Sequence, residues 1–211
     1  GNEMYVPKHF EENREEEIKR IIENFPLATI VANTKNGLVA NHIPLLLNKS
    51  SNGKKILIGH IAKTNNLHKE LNNNDNVIVI FKSEDAYISP NWYPTRNKKR
   101  EHVPTWNYQV VHLHGNIIFN HDQKFLLKTV NELTKIFEKD NKKKTDWKMN
   151  DVSSKFMSSM LKEIVGIEIN ISKQIAKSKL NQNREKEDIE NVIKKLKNNG
   201  YSFLSNSMNK L

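Results

Sequence analysis

One stretch limits what this chain can fold into more than any other. Residues Tyr87–Tyr108 read YISPNWYPTRNKKREHVPTWNY and hold two of the three tryptophans, three of the five tyrosines and three of the six prolines. Prolines 90, 94 and 104 fix their own φ and push the preceding residue out of the helical region. The stretch is therefore expected to be neither a helix nor a central strand. Loops of this length are binding loops, lids or disordered segments, and its aromatic content argues against disorder. The basic tip Arg96–Arg100 is expected to be exposed and the aromatic shoulders on either side packed. Two readings stay open from the residues alone: a loop that covers one end of a core, or a binding loop.

The rest of the chain reads as strands joined by hairpins, with helices between. Ile18, Ile21, Ile22 and Phe25 mark one face of a helix that Pro26 ends. Leu27–Thr34 reads as a strand, Asn36-Gly37 as a hairpin turn, and Leu38–Leu47 as its partner, interrupted by Pro44. Asn48–Gly53 is a second turn. Ile56–Ile61 is a third strand, Thr64–Leu71 a short helix and Val77–Phe81 a fourth strand. Gln109–Phe119 is a long strand that leaves the aromatic loop. Phe125–Phe137 is a helix, Glu138–Lys144 a charged loop and Val152–Lys162 another helix. Glu163–Ile171 alternates like a half-buried strand. Ile189, Val192, Ile193 and Leu196 mark a last helix, closed by Asn199-Gly200. Hairpin-joined strands favour an antiparallel barrel over alternating βαβ units. No dinucleotide-binding or P-loop glycine motif is present.

Four constellations carry possible chemistry. Asn41-His42-Ile43-Pro44 sets a proline in a strand, which is tolerated at an edge or bulge and exposes backbone polar groups; the plainer reading makes His42 a structural histidine. Gly59–Asn65 ends a strand and starts a helix, where free N–H groups attract phosphate and Lys63 adds a cation. The plainer reading makes Thr64 or Asn65 a helix cap. His112 and His114 share a strand face; a metal needs a third ligand that spacing does not supply, so no metal site is assigned. Gln182, Asn183 and Arg184 form a polar row before the last helix, and arginine grips phosphates and carboxylates with two N–H groups at once. Asn183 could equally cap that helix. No serine–histidine–aspartate, paired-carboxylate or zinc-protease pattern occurs, so no catalytic residue is assigned, and any redox chemistry would be a cofactor's.

Taken together, Ser89–Pro94, Val103–Tyr108, Met4–Pro7 and Lys179–Arg184 resemble the signature of PaiB-type negative transcriptional regulators. That family has an FMN-binding split-barrel fold, and the likeness covers nearly the whole chain. The resemblance implies an α+β chain that is mainly β, an antiparallel FMN-binding split β-barrel over 4–172, and a helical C-terminal extension over 173–211. It implies FMN as cofactor, held by Asn41, His42, Pro44, Ala62, Lys63, Thr64, Asn65, Trp106, Asn107, Tyr108, Gln182 and Arg184. Two departures stand out: His68 where the family has tryptophan, and Asn181 where it has serine. The resemblance also implies a homodimer with flavin at its seam, and a DNA partner. An FMN-dependent oxidoreductase, such as a flavin reductase or a pyridoxamine-oxidase-like enzyme, is the alternative on the same fold.

Composition narrows these readings. The 211 residues are 36% hydrophobic, with no run long enough to span a membrane. No apolar signal-peptide core stands at the N-terminus, and no cysteine occurs, which excludes disulfides and thiolate ligands. The expected location is the cytoplasm. The net charge of +10 is uneven: residues 121–211 carry 19 Lys+Arg against 12 Asp+Glu. That excess is the residues' own support for a nucleic-acid partner, although lysine-rich helix faces are commonly only solvated.

Overall fold

The structure, a computed structural model, describes residues 3–98, 101–139 and 147–211. The chain divides into two compact units. One, the barrel unit, comprises Pro26–Val79 and Leu113–Lys173. The other, the terminal unit, comprises Gly1–Phe25, Ile80–His112 and Gln174–Leu211.

Seven strands form one sheet: β1 (Leu27–Thr34), β2 (Gly37–Pro44), β3 (Leu46–Lys49), β4 (Lys55–Ala62), β5 (Asp75–Ile88), β6 (Thr105–Asn120) and β7 (Ile164–Lys179). Their order is β2-β1-β5-β6-β7-β4-β3, with antiparallel pairing. The helices are α1 (Glu15–Asn24), α2 (Leu67–Glu70), α3 (Gln123–Lys139), α4 (Ser154–Leu161), α5 (Lys186–Asn198) and α6 (Ser202–Asn209). This is the expected split barrel with added helices.

In the barrel unit, β1 and β2 pair from Leu27↔Pro44 to Thr34↔Gly37. The Thr34 hydroxyl closes the turn, accepting from the Asn36 amide (3.1 Å) and donating to the Gly37 carbonyl (2.9 Å). The expected single strand over Leu38–Leu47 is two strands. Pro44 has no N–H to continue the ladder, and the next amide, Leu45 N–H, donates to the Pro26 carbonyl at 3.0 Å. The chain then re-enters the sheet at the opposite edge as β3. β4 lies against β2 closely enough that a Cβ on Gly59 would come within 2.7 Å of the Pro44 carbonyl oxygen. Glycine is required there by space, not by φ. α3 covers this part of the barrel. Leu133 packs on Leu46, Ile56 and Ile58, flanked by Phe125 and Phe137. Glu138 and Lys139 extend α3 where a charged loop was expected; the rest of that loop, 140–144, lies outside the described residues.

In the terminal unit, α1 buries Ile18, Ile21 and Ile22, and its three leading glutamates suit the helix dipole. A second core joins Ala86, Ile88 and Tyr93 to Leu180, Val192, Leu196, Leu204 and Met208. Three strands outrun the expected bounds: β5 continues from 81 to Ile88, β7 from 171 to Lys179, and β6 begins at Thr105. α6 was not expected at all. Beside the apolar Ala86, Ile88 and Ala176, the buried positions of the added strand segments carry Ser83, Asn107, Lys177 and Ser178. Pro90 and Pro94 each open a short 3-10 turn instead of a structureless loop. Arg96, Asn97 and Lys98 are exposed as expected; Lys99 and Arg100 lie outside the described residues. The shoulders are not uniformly packed. Tyr93 is 1% exposed but Trp106 is 51% exposed.

Among the described residues, no helix is long and apolar enough to cross a membrane. None of their His, Asp and Glu side chains gather in threes to hold a metal.

Candidate functional site

The candidate residues form two groups, one in each unit. In the barrel unit, β2 and the turn after β4 meet side by side. Asn65 donates from Nδ2 to Asn41 Oδ1 at 2.9 Å, and its own Oδ1 accepts the Leu67 amide at 3.0 Å. Its backbone N–H donates to Ala62 O at 2.9 Å, and the Lys63 N–H donates to Glu163 O at 2.7 Å. His68 Nε2 stands 2.9 Å from the Lys63 carbonyl. The turn is thus tied from several sides, while the side chains of Lys63 and Thr64 face solvent.

The helix after this turn is shorter than expected. It is a single turn starting at Leu67, because Asn65 and Asn66 occupy the entry. The phosphate-binding capacity of this corner therefore rests on the turn and Lys63, not on a helix dipole. His68 meets the edges of Phe119 and His121, with ring centroids 6.3 and 6.1 Å away. It fills the place where tryptophan was expected and adds a polar contact to Lys63 O.

His42 is a cross-strand partner of Thr29, its Nδ1 lying 3.1 Å from the hydroxyl. Pro44 lines a cleft of about 350 Å3 with His60, Val130, Leu133, Thr134, Phe137, Glu138 and Trp147. Burial pushes the His60 imidazole below its ordinary pKa and so favours the neutral ring. His60 was not singled out from the sequence, although it lies inside the Gly59–Asn65 motif; nothing in the motif shows which residue turns toward α3.

In the terminal unit, the candidates surround Tyr93. Trp106 and Tyr108 share one face of β6 and Asn107 the other. Trp106 meets Tyr87 edge to face, centroids 5.8 Å apart. Tyr108 and Tyr5 flank the Lys177 ammonium at 5.2 and 5.5 Å from their ring centroids. Asn107 is fully buried and donates to Asn181 Oδ1 at 2.6 Å. Asn181, held at φ +61°, donates in turn to the Tyr93 hydroxyl at 3.2 Å. Gln182 turns back on its own chain, accepting the Leu180 amide at 2.7 Å and donating to Ser178 O at 2.6 Å. Asn183 does not cap α5, the helix it precedes; Glu185 holds that position.

The guanidinium of Arg184 lies 4.0 Å above the Tyr93 ring and donates to His102 Nδ1 at 2.6 Å. No carboxylate among the described residues pairs with it. Burial raises the Tyr93 hydroxyl pKa, against the opposing Arg184 charge and the Asn181 hydrogen bond. Two buried atoms here lack partners, Asn107 Oδ1 and Arg184 Nε.

Each group, taken by itself, has chemistry that suits a part of FMN. Its phosphate needs a cation, which Lys63 offers. Its ring offers carbonyl oxygens, for which an unpaired guanidinium N–H is suited, and flat apolar surface, for which Trp106 and Tyr108 are suited.

Comparison with known proteins shows the family. Residues 4–173 match the family described as "Putative FMN-binding domain". The chain belongs to that family, and its fold is the flavin split barrel. Within the family it is of the PaiB type. It is 36% identical over 196 residues to the protease synthase and sporulation protein PAI 2 of Bacillus subtilis, covering 92% of this chain and 90% of that one. The fold is shared with the flavocytochrome Anf3 of Azotobacter vinelandii, with a TM-score of 0.60 at 12% identity over 85% of this chain and 74% of that one. It is also shared with the FAD and heme binding protein of Mycobacterium smegmatis, with a TM-score of 0.55 at 15% identity over 80% and 72%.

Proposed function

We propose that the protein is an FMN-binding regulator of the PaiB type, working as a homodimer in the cytoplasm. The observation that carries this reading is Arg184, a half-buried cation stacked on Tyr93 with no described carboxylate partner and an unpaired Nε. A charge kept in that state is costly unless an acceptor from a ligand completes it.

FMN, when bound, supplies a ring that accepts and returns electrons. The chain's residues bind and orient it. Lys63, Thr64 and Asn65, with Ala62, take the phosphate, and Asn41 braces that turn. His42 and Pro44 present polar edge and apolar cover. Trp106 and Tyr108 cover the ring, and Arg184 takes an oxygen. Asn107 and Gln182 hold the segment that carries Arg184.

Exposed Tyr5, Tyr87 and Trp106 support the dimer, since exposed aromatic area commonly marks an interface. The regulator role draws on the PAI 2 name, which ties that protein to protease synthesis and sporulation. A DNA contact draws on charge. Over the ranges of the two units, the barrel unit has 17 Lys+Arg against 10 Asp+Glu and the terminal unit 17 against 14. The basic excess thus belongs to the barrel unit more than to the C-terminal helices.

The deciding experiment is titration of FMN into purified protein, followed by flavin fluorescence, with light scattering for mass. Saturable binding to a dimer supports the reading. No binding at any concentration overturns it. Rapid NAD(P)H consumption by the flavin-loaded dimer would move the assignment to an FMN-dependent oxidoreductase.

A further inference from the structure

The contacts of Arg184 extend beyond His102, and their directions can be worked out. A guanidinium can only donate, so His102 Nδ1, 2.6 Å from Arg184 Nη2, accepts and carries no proton. A neutral imidazole then has its proton on Nε2. That nitrogen lies 3.0 Å from Thr95 Oγ1 and donates to it. The Thr95 hydroxyl, having accepted, donates onward to Asp188 Oδ2 at 2.8 Å. The Thr95 backbone N–H donates to the other oxygen, Asp188 Oδ1, at 3.2 Å. Every proton in this chain is assigned without conflict.

Asp188 is 1% exposed and lies in the first turn of α5, where the helix dipole favours a negative charge. It forms no ion pair with any described residue. Among the described residues, its hydrogen bonds both come from Thr95. A buried carboxylate with no cation of its own among the described residues thus fixes a hydroxyl, which fixes an imidazole, which fixes a guanidinium.

We propose that Asp188 is a positioning residue: through Thr95 it holds His102 in the Nε2–H tautomer and so aims Arg184 at a ligand oxygen. The ligand half of this inference rests on the flavin reading above, with the oxygen belonging either to the ring carbonyls or to the phosphate. An asparagine at 188 can present an amide donor to Thr95. The Thr95 hydroxyl can then reverse and donate to His102 Nε2, which moves the imidazole proton to Nδ1, facing the Arg184 N–H. The two donors repel and Arg184 loses its orientation. The carboxylate avoids this because it can only accept.

The test reads the histidine ring nitrogens by 15N NMR in protein without flavin, and in parallel the affinities for FMN and riboflavin. Wild type should show His102 as the Nε2–H tautomer. Asp188→Asn should shift it toward Nδ1–H. Thr95→Val, which puts no donor at Nε2, should keep the tautomer but leave the Nε2–H without its acceptor and the ring without its anchor. Thr95→Ser, which keeps the hydroxyl, should keep the wild-type pattern. FMN affinity should fall about tenfold in the first two variants, the scale of one charge-assisted hydrogen bond, and stay unchanged in Thr95→Ser. An equal fall for riboflavin assigns the oxygen to the ring; a fall for FMN alone assigns it to the phosphate. An unshifted tautomer in Asp188→Asn overturns the positioning role. If that variant does not fold, Thr95→Val decides, and an Nε2–H signal and an FMN affinity both equal to wild type overturn the role. A shifted tautomer with unchanged affinity overturns the ligand half. Failure of wild type to bind flavin overturns the flavin reading and the ligand half together, while the tautomer result still decides the positioning half.

Discussion

Arg184 sits with its guanidinium carbon 4.0 Å above the ring centroid of Tyr93, and the Tyr93 hydroxyl is held by Asn181 at 3.2 Å. One buried tyrosine therefore serves as platform for a cation and as anchor for the loop that leads to it. The two roles are separable. Tyr93→Phe keeps the ring and drops the hydroxyl. It should cost about 1 kcal/mol, the net worth of a hydrogen bond, and leave flavin affinity nearly unchanged. Tyr93→Ala should cost about 3–5 kcal/mol, as for other buried aromatic truncations, and release Arg184. Chemical denaturation of both variants checks the ratio; equal losses would show that the hydroxyl, not the ring, supports the site.

Trp106 offers the opposite case. Its ring is half in solvent and meets Tyr87 only edge to face. Truncation to alanine should therefore lower stability by less than about 1.5 kcal/mol. A flavin stacked on the ring would lose more, about tenfold in affinity, on the scale of base–aromatic stacking. Thermal melts without flavin and titration with it separate the two effects. A large drop in melting temperature with unchanged affinity of the folded fraction assigns the ring to the core.

How far the sequence revealed this site depended on which side chains carried pattern. Leu27–Thr34 was legible to the residue because β-branched and apolar residues alternate there and Pro26 bounds them. The ends of β5 and β7 were not, because their buried positions are serine, alanine and Lys177 with a single isoleucine, Ile88, a mixture that reads as loop until a partner strand satisfies it. Pro44 was read as a flaw in one strand; it marks the point where the chain leaves one edge of the sheet for the other. Trp106, Asn107 and Tyr108 were legible as important but not as strand, since Pro104 directly before them reads as loop. His102 and Asp188 carry no motif. They are far apart in sequence, and only the packing of α5 against the Pro94 turn brings Asp188 to Thr95.

The buried network around Glu12 gives a pH prediction. Arg14 donates to Glu12 from its backbone N–H, Nε and Nη2, at 2.8–3.1 Å, and Ser178 donates at 2.7 Å. Burial is the largest single influence and opposes ionisation. The hydrogen bonds and the Arg14 charge together outweigh it and hold the carboxyl below its ordinary value of 4.5. A folded pKa below the unfolded one means stability that is complete above the unfolded value and disappears as pH falls through the folded value. Glu12→Gln should cost about 1–2 kcal/mol at neutral pH; part exposure of Arg14 keeps the charge contribution small. The gap to wild type should narrow steadily below 4.5. Parallel melts across that range decide it, and a constant gap would mean that the glutamate acts by shape alone.

Lys63 gives the sharpest contrast between ligands. It is exposed, follows a turn tied to Ala62, Asn65 and Glu163, and has no described carboxylate partner. If this turn receives the phosphate of FMN, its charge acts on the phosphate and not on the ring. Solvent screens an exposed pair, so the expected loss in Lys63→Ala is about 1 kcal/mol, or roughly fivefold. Riboflavin has the same ring and no phosphate, and its affinity should scarcely move. Wild type should prefer FMN over riboflavin, and the variant should lose much of that preference. Added salt should weaken FMN binding in wild type more than in the variant, because part of the attraction is Coulombic. General unfolding cannot imitate this pattern, since it weakens both ligands alike. Equal losses for FMN and riboflavin, or none for either, would return Lys63 to the solvated surface and leave the phosphate to another residue.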